Sequence, residues 1–521
     1  MHTRNAIARL AHPTPADRRH KSLRFTVVAV WILAACLTPP AALAQPLQQR
    51  LNALIKQATL GPARIGVIVT DAFTDETLAS VSADSAFIPA SNMKLLTSGA
   101  ATIALGADHR FRTELKRKGD QLYVIGTGDP AFGDPVLLRE MGIDVDEFLA
   151  RWVRAVQQSG GGPIREVVID DLAFEPAGPH ATWPRDQLNR WYCAEVGGLN
   201  FFTNVIDVYA SPTTPGSSPR IKIEPDASWL VPKNRASTVA TGANTVWVSR
   251  SLMSNRMTLH GEVRAAMGLP IPVAVHDPSM VFGQMFADRL EAANLGSPKA
   301  RRLGREEPVV DAKTIAVVTT PIETILRRCN TDSYNLYAEC LLKRMGAVVT
   351  GEPGSWDNGQ AVLRMTIADV LGPSAVGAPG SLMIVDGSGM SRANRVTPRL
   401  LADWLEVIAH RDEPGLLLWG SLPRAGKDGT LVTRFHNMGL VNPVRAKSGY
   451  LDRVSCLTGY VGDPTQGARF VVFSVLVNDI PSTVPIRRVK KLQERIVKAI
   501  DDYLAQSLAE AHETDGVSQG G

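Results

Sequence analysis

The chain has 521 residues, 45% hydrophobic and 21% charged, which is long enough for more than one domain with a core and excludes a fibre or a largely disordered polymer. Its formal charge of +5 sits in the N-terminus, where residues 1–44 hold six Lys/Arg and one acid, leaving 50 basic and 50 acidic residues of the 56 and 51 in the whole chain. A body that close to neutrality gives no electrostatic case for binding nucleic acid or a membrane surface.

Residues 1–44 read as an export signal: basic residues up to Arg24, an apolar run over 25–35, and Ala42-Leu43-Ala44 as a small-residue cleavage site before Gln45. The run is too short, and too soon broken by Pro39-Pro40, for a membrane span. A periplasmic protein cleaved after Ala44 is the expected product. Leu33-Ala34-Ala35-Cys36 also matches a lipoprotein processing box, and a membrane tether follows only if Cys36 is lipidated.

Residues 64–82 predict a hairpin, with β-branched residues over 65–70, a turn at 73–76 and a return over 78–81. Pro89 ends the next extended run. Met93, Leu95, Leu96, Ala100 and Ala101 then predict a buried helix from near Ser91 to about Leu105. Over 107–304 the texture is mostly short strands between Gly, Pro, Asn and Asp turns, with 210–242 as surface loops and no fixed-period repeat. Helical patterning returns at 278–295. A strand at 314–319 opens alternating strands and helices, among them a helix over 336–345 and three antiparallel strands at 445–451, 455–461 and 469–477. A last amphipathic helix spans about 485–508, with Val489, Leu492, Ile496, Ile500 and Leu504 on one face. The expected organisation is an α/β (α+β) body split into 45–106 and 305–508, a β-rich insertion at 107–304 with an inner subdomain at about 203–278, and a disordered tail at 509–521.

Beyond the leader, Cys193, Cys329, Cys340 and Cys456 form no metal-ligand spacing, and no cofactor or metal is expected. Cys329 and Cys340 either bridge or stay as buried thiols. The histidines show no ligand or triad pattern.

Three short motifs carry chemistry. Ser91-x-x-Lys94 stands at the start of the first buried helix, where residues three apart share a face, so a hydroxyl nucleophile meets an amine able to take its proton. Ser333-Tyr334-Asn335 lies at a loop-to-helix junction, and Lys447-Ser448-Gly449-Tyr450 lies on an apolar strand. Each is weak alone; their order and settings together make the signal. Lys427-Asp428-Gly429 is a rival for the third motif, but it sits in a turn. Asp129, Asp207 and Asp386 occupy Gly-rich turns, where Asp supports backbone, and receive no catalytic role.

On these motifs the chain resembles the penicillin-recognising serine enzymes, and with its long insertion it resembles the D-alanyl-D-alanine carboxypeptidase/endopeptidase family, the class C low-molecular-mass penicillin-binding proteins. The resemblance extends to Gly126-Thr127-Gly128-Asp129-Pro130, to 192–208, to Asp386-Gly387-Ser388-Gly389-Met390-Ser391-Arg392 and to 421–431. It implies a five-stranded antiparallel sheet flanked by helices and an acyl-enzyme at Ser91. It also implies Lys94 as base, Ser333 as proton relay, Asn335 as a bridge between Lys94 and substrate, Lys447 and Ser448 at the substrate carboxylate, and an oxyanion hole of the Ser91 and Tyr450 N–H groups. Peptidoglycan stem peptides are the implied substrate and β-lactams the covalent inhibitors. The chain departs from the family pattern at Ser448, where Thr is commoner, and at Tyr450, where a small hydroxyl residue is usual. A silent wall-binding member of the fold and a β-lactamase are the alternatives. Carboxypeptidase and endopeptidase action both fit the motifs, since each breaks the bond after D-alanine and they differ only in the size of the leaving amine.

Overall fold

The computed structural model describes residues 41–377 and 380–518; the basic leader, the apolar run and Cys36 lie outside them. A first helix, Ala41–Ala58, contains the expected cleavage position. Among the described residues no helix is long and apolar enough to cross a membrane.

The two ends of the chain build one antiparallel sheet, in the order Val444–Leu451, Val454–Val461, Val471–Asn478, Arg64–Asp71, Glu76–Val81. Val454–Val461 and Val471–Asn478 are buried at every position, with Ser455, Thr458, Ser474 and Asn478 as the polar residues among them. Ser455 meets Gln493 of the last helix at 3.3 Å, while Tyr460 donates its hydroxyl to the Leu405 carbonyl at 2.8 Å. Side chains an odd number of positions apart point to opposite faces, so helix Ile486–Ser518 covers one face and helix Pro398–Ala409 the other. Between Pro398–Ala409 and further helices lies Met93–Ala104, buried at residues 93–102. A helix buried all round belongs in the centre of a bundle. Close approach is built in: a side chain at Gly99 would sit 2.7 Å from the Trp404 indole nitrogen, which itself donates to the Leu95 carbonyl.

A second five-stranded sheet, mixed in direction, runs Lys299–Arg302, Glu166–Asp170, Gln121–Gly126, Arg110–Lys118, Lys313–Pro321. It corrects two expectations. The strand assigned to the second half of the split body pairs instead with Arg110–Lys118, so the insertion's sheet reaches Pro321 and not 304. The inserted region is also not simply β-rich. Helix Val145–Gln158 buries Val145, Phe148, Leu149, Trp152 and Val156, and it packs with Pro278–Ala292 around a cluster of Phe132, Phe201, Phe282 and Phe286. Three small sheets all lie between Val205 and Ala274. The last helix continues to Ser518 where a disordered tail was expected, because Ala509, Glu510, Ala511 and Glu513 keep up its helix propensity. The four cysteines among the described residues are free and buried, so the Cys329–Cys340 bridge is not formed. Among the described residues no His, Cys, Asp or Glu group is placed to hold a metal.

Insertion and body are joined by a buried ion cluster. Asp134 accepts from Arg328 at 2.8 and 3.0 Å and from the Tyr337 hydroxyl, and Arg328 reaches on to Asp332, next to Ser333, at 2.5 Å. Deleting one member leaves a buried charge unpaired. Arg328→Ala is therefore expected to lower stability by about 3–5 kcal/mol, read as a fall in the urea midpoint, with Asp134→Asn in the same chain recovering part of the loss.

Candidate active site

The turn that carries Ser91 is held from both sides. Phe87 pairs with Val396, and the backbone of Ile88 both donates to and accepts from the Asn478 amide, at 2.7 and 3.1 Å. Pro89 then ends the extended run, and Ala90 turns the chain with φ +46°, in the left-handed region that costs a non-glycine residue about 1–3 kcal/mol. Gly389 packs so close that a Cβ there would be 1.8 Å from the Ala90 carbonyl oxygen. The result is a short 3-10 turn, Ala90–Asn92, that presents the partly exposed Ser91 immediately before the buried helix. Asn92 ties this turn to the edge strand by donating to the Lys447 carbonyl at 2.7 Å and accepting from Thr458 at 3.0 Å.

Lys94 is fully buried, and its amine has three neighbours: the Asn335 Oδ1 at 2.7 Å, the Ser388 carbonyl at 2.8 Å and the Ser91 Oγ at 3.1 Å. Two of them are carbonyl oxygens that only accept. A neutral amine has two N–H bonds and one lone pair; with both N–H bonds spent on Asn335 and Ser388, the lone pair faces Ser91. Burial lowers the Lys94 pKa to about 8, against the opposing pull of Cys329, Glu339 and Asp386. The Asn335 amide is oriented from its other end, donating to the Tyr192 carbonyl at 2.8 Å.

The third motif lies beside the second. Lys447, also buried, donates to the Ser333 Oγ at 2.8 Å and to the Ser448 carbonyl at 2.9 Å. Desolvation, and then the charge of Lys94, push its pKa well down. Two amines in one desolvated pocket do not both stay charged. Ser333 takes φ +61°, which turns its hydroxyl toward the strand just before helix Asn335–Thr350. Gly449 is required by contact, since a Cβ there would stand 2.9 Å from the Pro89 carbonyl oxygen and 3.2 Å from the Ala90 Cβ. Ser448 donates to Thr430 at 2.8 Å, and the Tyr450 side chain is 59% exposed. The rival Lys427 lies on an exposed turn.

Residues the sequence did not single out complete the arrangement. Glu339, one turn after Asn335 and fully buried, accepts from the N–H groups of Gly387 and Ser388 at 3.0 and 2.8 Å and from the Trp356 indole. It thereby sets the Ser388 carbonyl that holds Lys94. Burial, then the nearby Asp386, raise its pKa to about 7. A lone carboxylate inside the apolar run Leu336 to Met345 was the available signal. Asp386 supports the same loop, accepting from the backbone of Gly389 and Ser391 and from Trp183 and Asn394, a backbone role of the kind its Gly-rich turn implied. Asp129 likewise caps Ala131 and accepts from Thr320.

A family model described as the D-Ala-D-Ala carboxypeptidase 3 (S13) family matches residues 47–505. The chain is 30% identical over 490 residues to a D-alanyl-D-alanine carboxypeptidase of Actinomadura sp. (strain R39), covering 89% of this chain and 84% of that protein. It is 26% identical over 421 residues to the penicillin-sensitive carboxypeptidase A of Dictyostelium discoideum, covering 76% and 79%. Among solved structures, penicillin binding protein 4 of Haemophilus influenzae shares the fold, with a TM-score of 0.68 at 21% identity over 86% of this chain and 98% of that one.

Two outcomes follow from the geometry. The rate at which Ser91 is acylated is expected to rise with pH as Lys94 loses its proton, with a midpoint near 8 and a plateau above, measured by stopped-flow mixing with a chromogenic β-lactam. Glu339→Ala, which frees the Ser388 loop, is expected to slow that acylation on the order of 100-fold while Ser91 remains the labelled residue in a peptide map.

Proposed function

The chain belongs to the D-Ala-D-Ala carboxypeptidase 3 (S13) family, and from that premise we propose how its residues cleave the bond after the penultimate D-alanine of peptidoglycan stem peptides. It is a serine-type peptidase. Ser91 attacks the carbonyl carbon as Lys94 accepts its proton. The developing oxyanion sits between the N–H groups of Ser91 and Tyr450, at the positive end of helix Met93–Ala104. Lys447 and Ser448 hold the terminal carboxylate. That anion restores the charge that the pocket otherwise strips from Lys447, so the substrate brings the counter-ion the site lacks. The C–N bond then breaks. Ser333, bonded to Lys447 at 2.8 Å, passes a proton to the departing amine and is resupplied with the one that Lys94 took from Ser91, so that Lys94 is neutral again and serves as base when water releases the acyl ester at Ser91. Asn335 keeps Lys94 in line and offers its amide to the substrate backbone.

The observation that carries this reading is the Lys94 amine held by two carbonyl-type acceptors with its third contact on Ser91. Export by the N-terminal leader and action in the periplasm, with β-lactams as covalent inhibitors, belong to the same proposal.

Incubation with a fluorescent penicillin tests it: one covalent label per chain is expected, lost in Ser91→Ala and formed at least 1,000-fold more slowly in Lys94→Met, the order expected for loss of a positioned base. An intact protein that takes no label, or a label that survives Ser91→Ala, contradicts the proposal.

A further inference from the structure

One of the small sheets in the inserted region ends on an edge strand, Trp247–Arg250, which pairs through its other edge with Met257–His260. Trp247 and His260 stand opposite each other on the two strands, and their rings stack with centroids 4.3 Å apart and planes 14° apart. The imidazole is fixed in turn by the Ser249 hydroxyl, 2.9 Å from its Nε2. One face of the indole is therefore covered by a ring held in place, yet Trp247 remains 48% exposed. A large flat apolar side chain that is held rigid and left open to solvent is a prepared contact surface.

Trp247 lines a cavity of about 230 Å³ between this strand and residues 185–190. Asn189 donates its amide to the Val248 carbonyl at 2.7 Å, and Ala274 donates its N–H to the Asn189 carbonyl at 3.0 Å, which fixes that segment along the strand edge. Arg185, Asn189, Arg190 and Ser249 share the wall. So does Arg250, whose side chain is only 3% exposed. Its guanidinium donates to the carbonyls of Ser254 and Leu188 at 3.1 and 2.8 Å and lies 3.9 Å from Glu195, but among the described residues its Nε–H has no partner. A buried donor left unpaired is costly, and an acceptor on a ligand removes that cost.

A flat apolar platform ringed by hydrogen-bonding groups is the chemistry of a sugar site. The C–H bonds on a pyranose face carry the slight positive charge that an indole face attracts, and the hydroxyls and amides at its edge need polar partners. The cavity is smaller than the roughly 300–1,000 Å³ of a pocket that encloses a whole ligand, so it suits one ring of a longer polymer. It also lies close to the active site along the chain. Two residues on from Arg190, the Tyr192 carbonyl accepts from Asn335 at 2.8 Å, and between them Trp191 packs on Tyr334 at 4.9 Å. Arg190 to Tyr192 spans at most about 7 Å, whereas the four residues of a stem peptide, from its sugar to the penultimate D-alanine, span about 14 Å when extended.

We infer that this cavity seats a sugar of the peptidoglycan strand against Trp247 while the stem peptide borne by that sugar reaches past residues 190–192 to Ser91. The inserted region then takes a share in substrate selection: a stem still attached to its glycan is preferred to one already cut free. This rests on the serine-peptidase reading given above.

The test compares kcat/KM for a disaccharide pentapeptide, the N-acetylglucosamine–N-acetylmuramic acid unit with its stem, with that for the same pentapeptide freed of sugar. In the wild type the sugar-bearing substrate is expected to be favoured about tenfold, the order of one well-stacked ring contact. In Trp247→Ala the ratio is expected to fall to near one, and Trp247→Tyr, which keeps an aromatic face, is expected to recover part of it. Each protein is compared with itself on the two substrates, so a variant that merely folds less well lowers both rates and leaves the ratio intact. A wild-type ratio near one, or a ratio that survives Trp247→Ala, overturns the inference while the serine-peptidase reading stands. A wild type that cleaves neither substrate and takes no penicillin label overturns both.

Discussion

Everything in this active site depends on placing one lysine amine out of bulk solvent, where two carbonyl oxygens claim its hydrogens. Burial alone lowers the pKa of Lys94, but a lowered pKa does not say where the lone pair points. The Asn335 Oδ1 and the Ser388 carbonyl settle that by geometry, and Ser91 occupies what is left. The surrounding fold can be understood as the apparatus that keeps those three neighbours fixed. The strained Ala90 and the close-packed Gly389 set Ser91, Glu339 and Asp386 hold the Ser388 loop, and the Tyr192 carbonyl orients Asn335.

The inserted region takes part in the site as well as interrupting the body. It supplies the Tyr192 carbonyl directly, and its Asp134 anchors Arg328, which in turn holds Asp332 beside Ser333. It also supplies Trp183 and Thr182 to the loop that carries Ser388, through Asp386 and Ser391. A disturbance in the insertion is therefore transmitted by hydrogen bonds toward Lys94, through Asn335, and toward Ser333, through Asp332.

Much of this was legible in the sequence, for reasons that differ by element. The buried helix after Ser91 and the three strands near the C-terminus carry strong local patterns, and the split body follows from their similarity to a known family. Helix Val145–Gln158 falls outside the sequence expectation although its apolar residues recur at helical spacing, because the Gly- and Pro-rich texture on both sides reads as one β-rich stretch. The strand Lys313–Pro321 was recognised but given to the wrong sheet, since pairing with Arg110–Lys118 is a contact across about 200 residues that no local pattern encodes. At the site, side chains in motifs were visible, while the groups that fix them were not: the Ser388 and Tyr192 carbonyls are backbone atoms, and any residue would provide them. Glu339 is the exception: it is the one carboxylate in helix Asn335–Thr350 and, buried there, requires partners.

The central claim is that Lys94 gives up its proton well below the ordinary lysine range while Ser91 is free. The most direct measurement is an NMR titration of protein labelled with 13C at lysine Cε, with the Lys94 signal assigned by its loss in Lys94→Met. The account predicts a midpoint near 8 for that signal. A midpoint at the ordinary lysine value of 10.5 would leave Lys94 protonated when Ser91 must give up its proton, and would contradict its assignment as the base.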